Sequence, residues 1–89
     1  MIGKADRRFW RCFEKLPASV QRLALEKYAL WKRDPYHASL HFKERRNGIC
    51  VGRIGEHYRT LGLHEGDVIA WFWFGTHEQY SRFRFLIRR

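Results

Sequence analysis

Apolar residues along this chain recur first at intervals of three and four, then at intervals of two. Within Arg7–Lys15, Phe9, Trp10 and Phe13 hold helical spacing, which predicts a short first helix. Leu16-Pro17 interrupts it, and proline suits the first position of a new helix because its missing N–H would have no partner there. From Pro17 to Lys32, Val20, Leu23, Ala24, Tyr28 and Trp31 draw one apolar stripe, while Gln21, Arg22 and Glu26 point elsewhere. Lys32 and Arg33 complement the negative end of that helix, and Asp34-Pro35 stops it because the residue before proline avoids helical angles.

The period then shortens. Ser39–Arg45 sets Leu40 and Phe42 on one side and His41 and Lys43 on the other, which predicts a strand. Asn47-Gly48 predicts a tight hairpin turn, since both residues accept positive φ. Ile49–Ile54 reads as the return strand, Gly55-Glu56 as a turn, His57–Leu63 as a third strand, His64–Asp67 as a turn and Val68–Phe74 as a fourth strand. Strict alternation on that last strand puts Val68, Ala70, Phe72 and Phe74 on one face and Ile69, Trp71 and Trp73 on the other. Both faces are apolar, so it belongs inside the sheet. Gly75 then breaks the aromatic run ahead of His77 and Tyr80. Ser81–Arg89 fits a short helix better than a strand, and Met1–Asp6 looks too short and polar for one. The expectation is an α+β domain: a helical hairpin packed on a twisted antiparallel meander of about four strands, its opposite face left for another use.

Length and charge narrow the partners. Eighty-nine residues suit one domain over the whole chain, and 45% hydrophobic with 17% aromatic residues argue for a packed core. Eighteen Lys and Arg against nine acidic residues give a net charge of +9, a field that favours phosphate backbones or an acidic protein partner. A merely soluble basic surface is the plain alternative. No segment joins a clean apolar face to a lysine-rich one, so a membrane partner is not expected. Two cysteines make no disulfide scaffold, and without a secretory leader or a long apolar run the expected location is the cytoplasm.

A meander brings Lys43, Arg53 and Arg59 onto neighbouring strands and ends near His77 and Tyr80, with Arg45 and Arg82 as flanking cations. These types suit the holding and cleavage of a phosphodiester without a metal: RNA supplies a 2′-hydroxyl nucleophile, guanidinium and ammonium groups stabilise phosphate, and histidine exchanges protons near neutrality. Tyrosine can stack on a base or move a proton. Each has an ordinary alternative. Arg59 can sit in a surface ion pair, Lys43 and Arg53 on a solvated face, His77 at a helix end, and Tyr80 in the core. His37 and His41, four apart, invite a zinc reading with Cys12 and Cys50, but they fall on a turn and strand with no paired-cysteine spacing. No metal or other cofactor is therefore expected.

Three stretches together resemble the RelE/ParE superfamily of bacterial type II toxins: the helix ending at Asp34-Pro35 followed by Ser39-Leu40-His41-Phe42-Lys43, the Arg53-Ile54-Gly55 and Tyr58-Arg59 segments, and Gly75-Thr76-His77-Glu78-Gln79-Tyr80. The resemblance covers roughly Phe9 to Tyr80. It implies a compact α+β fold and, in the RelE branch, a metal-independent endoribonuclease that cleaves messenger RNA in the ribosomal A site. It places Arg59, His77 and Tyr80 in the catalytic positions and Lys43 and Arg53 in the basic patch that holds RNA, with Arg45 and Arg82 expected as further nucleic-acid-binding cations. In the ParE branch the same fold implies inhibition of DNA gyrase. Either branch implies a cognate antitoxin with an acidic toxin-binding segment. Family members often open with a strand that Met1–Asp6 does not convincingly supply, and the cations before Tyr58-Arg59 are sparse.

Overall fold

The computed structural model describes residues 2–87, with side chains as far as Phe83. Eight elements follow in order: β1 (Ile2–Ala5), α1 (Arg7–Glu14), α2 (Ala18–Arg33), β2 (Lys43–Glu44), β3 (Ile49–Ile54), β4 (Tyr58–Glu65), β5 (Val68–Thr76) and α3 (His77–Ile87). The architecture is α+β. One sheet runs β1-β5-β4-β3-β2; β2 to β5 form the antiparallel meander, and β1 joins it in parallel along β5.

Asp6 starts α1 by accepting from the backbone N–H of Arg8 at 2.8 Å and Phe9 at 3.3 Å. Gln21 joins the two helices, its side-chain amide donating to the carbonyls of Phe13 and Leu16 at the end of α1. The apolar stripe on α2 faces the sheet as its spacing indicates. Ala24 and Trp31 are buried there, with Val20, Leu23 and Tyr28 packed beside them. Asp34 ends the helix with φ −148°.

Hydrogen bonding to Arg8 holds the Asp6 carboxyl below its usual range, with slight burial opposing and the two backbone bonds adding to the effect. A depressed carboxyl contributes stability that is present above its unfolded value of about 3.9 and is lost as pH falls through the folded one. Asp6→Ala is expected to cost about 1 kcal/mol at pH 7 and to flatten the acid loss below about pH 4. Asp6→Asn should keep much of the cap while losing the same pH dependence. Urea unfolding at pH 7 and at pH 3 reads both effects.

Five expectations change. Ile2–Ala5 does form a strand: its backbone pairs with Val68–Trp71, and Gly3 lets the rings of Tyr28 and Trp31 come within 2.6–2.9 Å of where a Cβ would stand. That pairing is supplied by β5, which is why a polar hexapeptide shows little of it locally. The strand over Ser39–Arg45 shrinks to Lys43–Glu44. His37 Nδ1 accepts from the Ser39 N–H, a short 3-10 turn over Ala38–Leu40 buries Leu40, and His41 takes a left-handed φ of 45°. The third turn tightens to Gly66-Asp67, with β4 running on to Glu65.

Finally, α3 starts at His77, ahead of Ser81, and folds over part of the face expected to stay open. Trp73 and Phe83 meet edge-on at 5.2 Å, and Tyr80 is buried with Val51 and Leu61. Residues 88–89 of the expected tail lie outside the described residues.

The strict alternation expected of β5 also fails. Leu61 pairs with Trp73 but Gly62 pairs with Trp71, so Phe72 is an extra residue in a β-bulge. Ile69 and Trp71 pack under the helical hairpin, Phe72 and Trp73 against the α3 side, and Phe74 under the hairpin again beside Phe9. Phe74 therefore shares a face with Ile69 and Trp71. Large aromatic residues at all four positions from Trp71 to Phe74 allow this, because either face accepts the displaced ring.

Candidate nucleic-acid interface

Register decides which cations meet. On β3 and β4, Arg53 and Arg59 are direct cross-strand partners, and Lys43 on β2 lies opposite Val51 one step along the same face. This is the face away from α1 and α2. A cleft of about 210 Å³ opens on it, lined by His41, Lys43, Arg45, Arg53 and Arg59 along the strands and by His77 and Tyr80 from α3, with Val51 at its floor. No carboxylate is among those lining residues.

Two guanidinium groups this close need a local anchor, and the β3–β4 turn provides it. Gly55 adopts φ 68°, a conformation open to glycine and costly for residues with a Cβ. Its carbonyl accepts from Arg53 Nε at 3.1 Å and from Arg59 Nη1 at 3.4 Å. Arg59 Nη1 also donates to the carbonyls of Glu56 at 3.2 Å and Tyr58 at 2.8 Å. The three Arg59 bonds all leave from Nη1, so among the described residues nothing engages its Nε or Nη2, and both can meet an anion. Burial lowers the Arg59 pKa from its usual value, repulsion from Arg53 adds to this, and Tyr80 partly offsets it.

Across the cleft, Thr76-His77-Glu78-Gln79 builds the start of α3 as a reciprocal cap. Gln79 N–H donates to Thr76 Oγ1 at 3.1 Å, and Gln79 Oε1 accepts from Thr76 N–H at 2.9 Å. The His77 N–H donates to the His57 carbonyl at 2.7 Å, tying the helix start to the same turn that anchors the arginines. His77 and Tyr80 then fall three apart on one helical face, ring centroids 6.2 Å apart. The His77 side is exposed, while Tyr80 is only 8% exposed, its ring held between Val51 and Leu61.

Six of the seven residues singled out in the sequence thus line one cleft: Lys43, Arg45, Arg53, Arg59, His77 and Tyr80. Arg82 is exposed on α3 and does not line it. The sequence reading weighed His41 only as a zinc ligand and left it out of the phosphate site; its Nε2 lies 3.4 Å from Arg53 Nη1, an arrangement that makes the imidazole the acceptor. Its signal was its parity with Lys43 and Arg45. His37 instead faces Ser39 Oγ at 2.9 Å, and Cys12 packs with the cluster around Ala24, Ile54 and Phe74, so the zinc grouping considered from the sequence is not assembled.

No protein-family model matches the chain, and no curated protein matches it. Solved structures do share its fold. The chain is similar to one in the toxin–antitoxin complex RelBE2 from Mycobacterium tuberculosis, with a TM-score of 0.68 and 17% identity, covering 85% of this chain and 96% of that one. It is likewise similar to one in the archaeal RelE–RelB complex from Pyrococcus horikoshii, with a TM-score of 0.65 and 17% identity over 84% and 92% of the two chains. A YoeB/ParE toxin from Agrobacterium tumefaciens matches with a TM-score of 0.65 and 15% identity over 86% and 99%. The chain has the RelE/ParE-like fold.

Proposed function

We propose that this chain is the toxin of a type II toxin–antitoxin pair and that it cleaves messenger RNA on the ribosome, using its own side chains for proton transfer and charge stabilisation. The observation that carries the reading is the convergence of four cations, two histidines and a tyrosine on one cleft, with no carboxylate among its described lining residues. A cleft of that composition attracts a phosphodiester and offers no acidic side chain to hold magnesium. Its fold is that of chains in RelE–RelB and RelBE2 toxin–antitoxin complexes, which supports the toxin assignment.

In this reading Lys43, Arg45 and Arg53 hold consecutive phosphates and Arg59 faces the scissile one. The RNA 2′-hydroxyl loses its proton to an imidazole, attacks phosphorus, and yields a 2′,3′-cyclic phosphate as the 5′-oxygen leaves with a proton. His77, exposed at the start of α3, moves protons, with His41 across the cleft as the second imidazole. Tyr80, clamped by the core, orients and stacks more readily than it titrates. Two of its neighbours are hydrophobic floor residues, so its ring has little freedom. The cognate antitoxin supplies an acidic segment that neutralises the same cleft.

Induced expression in a bacterial host, followed by primer extension on abundant messages, tests the reading. Growth arrest with in-frame message cleavage is expected, and His77→Ala should lower cleavage by about 10²-fold or more, the usual worth of a positioned acid or base. Arrest with intact messages, equally strong in His77→Ala, would sink the ribonuclease reading and redirect the fold to a target such as DNA gyrase. Harmless expression with salt-sensitive RNA or DNA binding would leave a binding module.

A further inference from the structure

The other side of the sheet carries a second group of polar side chains that the cleft does not use. Glu44 on β2 is the direct cross-strand partner of Cys50 on β3, and Cys50 is in turn the partner of Gly62 on β4. His64, two residues along β4, is therefore the diagonal neighbour on the same face. His64 Nδ1 lies 2.5 Å from Glu44 Oε1, Cys50 Sγ lies 4.0 Å from the same oxygen, and all three donor atoms fall within 4.8 Å of one another.

We propose that Glu44, Cys50 and His64 form a zinc-binding site at this end of the sheet. Thiolate, imidazole and carboxylate are the ligand types zinc takes, and the sulfur disfavours magnesium and calcium. Zinc–ligand bonds of about 2.0–2.3 Å in a tetrahedron require donors about 3.3–3.6 Å apart. The three atoms bracket that separation, so rotation of the Glu44 and His64 side chains closes the site without moving the strands. Glu44 and His64 are half and about one-third exposed in their side chains, 50% and 31%, which leaves solvent as the fourth ligand. Cys50 forms the buried floor, at 0% exposure.

Metal binding here must first displace the thiol proton. Burial pushes the Cys50 thiol up to about 11, and the nearby Glu44 carboxylate adds to it. A divalent cation removes that obstacle, since binding and thiol deprotonation are coupled. Sequence spacing hides the grouping because each ligand comes from a different strand. Its effect would be mechanical: β2 has two residues and two cross-strand pairs, and a metal would pin it to β3 and β4. The site faces away from the cationic cleft and takes no part in the proposed cleavage.

Cobalt(II) titration of the purified chain tests this, with zinc as competitor. A near-ultraviolet thiolate-to-cobalt absorption saturating at one equivalent and displaced by zinc is expected. Cys50→Ser should abolish it, and Cys12→Ser should keep it. In competition with a chelating dye, His64→Gln and Glu44→Gln should weaken zinc affinity by more than about tenfold, since even residues behind the ligands are worth that much. Should Cys50→Ser fail to fold, as judged by near-ultraviolet circular dichroism without metal, His64→Gln decides the question from the sheet rim. A band that persists in folded Cys50→Ser, or zinc affinity unchanged in His64→Gln, overturns the proposal.

Discussion

Arg59→Ala is expected to lower message cleavage by about 10²–10³-fold, the scale of losing one preorganised donor to a developing oxyanion, with little change in stability. The guanidinium is held in place before RNA arrives by the carbonyls of Gly55, Glu56 and Tyr58, so its orientation costs nothing at the moment of reaction. The side chain is half-buried and its removal leaves those carbonyls open to water, which limits the folding penalty to about 1 kcal/mol. Arg59→Lys should recover charge but not the fork, and so restore less than the full rate. Single-turnover cleavage on ribosomes together with urea midpoints separates the two effects. A variant that loses less than about tenfold in rate, while remaining folded, would remove Arg59 from the chemistry.

Trp71→Ala is expected to cost about 3–5 kcal/mol of unfolding free energy, the range for emptying a buried aromatic site. Trp71 is 5% exposed and meets Trp31 edge-on at 5.4 Å and Phe42 at 6.1 Å. Its indole also lies flat over β4: a Cβ on Gly62 would come within 2.7 Å of it, so Gly62 is the floor on which the ring rests. The alanine variant loses contacts from both helices and the sheet in one step. Small domains hold roughly 5–15 kcal/mol in total, so this loss takes from about a fifth of the margin to the whole of it. Equilibrium urea unfolding checks it. A loss under about 1.5 kcal/mol would show that the cluster collapses into the vacated space.

Much of this was legible from period and parity. The spacing of Val20, Leu23, Ala24, Tyr28 and Trp31 marked the buried face of α2, and Asn47-Gly48 takes the two positive φ angles, 60° and 74°, that make it a hairpin turn. The cationic row was legible because Lys43, Arg53 and Arg59 need only the meander register to meet. What stayed hidden depends on partners far along the chain. Ile2–Ala5 is a strand because β5 has a free side to offer it. The bulge at Phe72 has no local mark, since a ring fits either face. The Thr76–Gln79 pattern is a recognisable helix start, but it follows directly on an aromatic run that reads as strand.

The parallel pairing of Ile2–Ala5 with Val68–Trp71 has a consequence for assembly. Loop-closure entropy must be overcome before such a distant contact gives any return, so this edge is expected to close late. During synthesis the first strand waits, unpaired, until β5 has been made, while β3 and β4 can zip as a local hairpin. The half of the cleft carried by α3 follows β5 directly in the chain. A ribosome-bound fragment that stops short of it would therefore carry the arginines without the histidine at position 77, and the finished site comes into being only once β5 and the start of α3 have both been made.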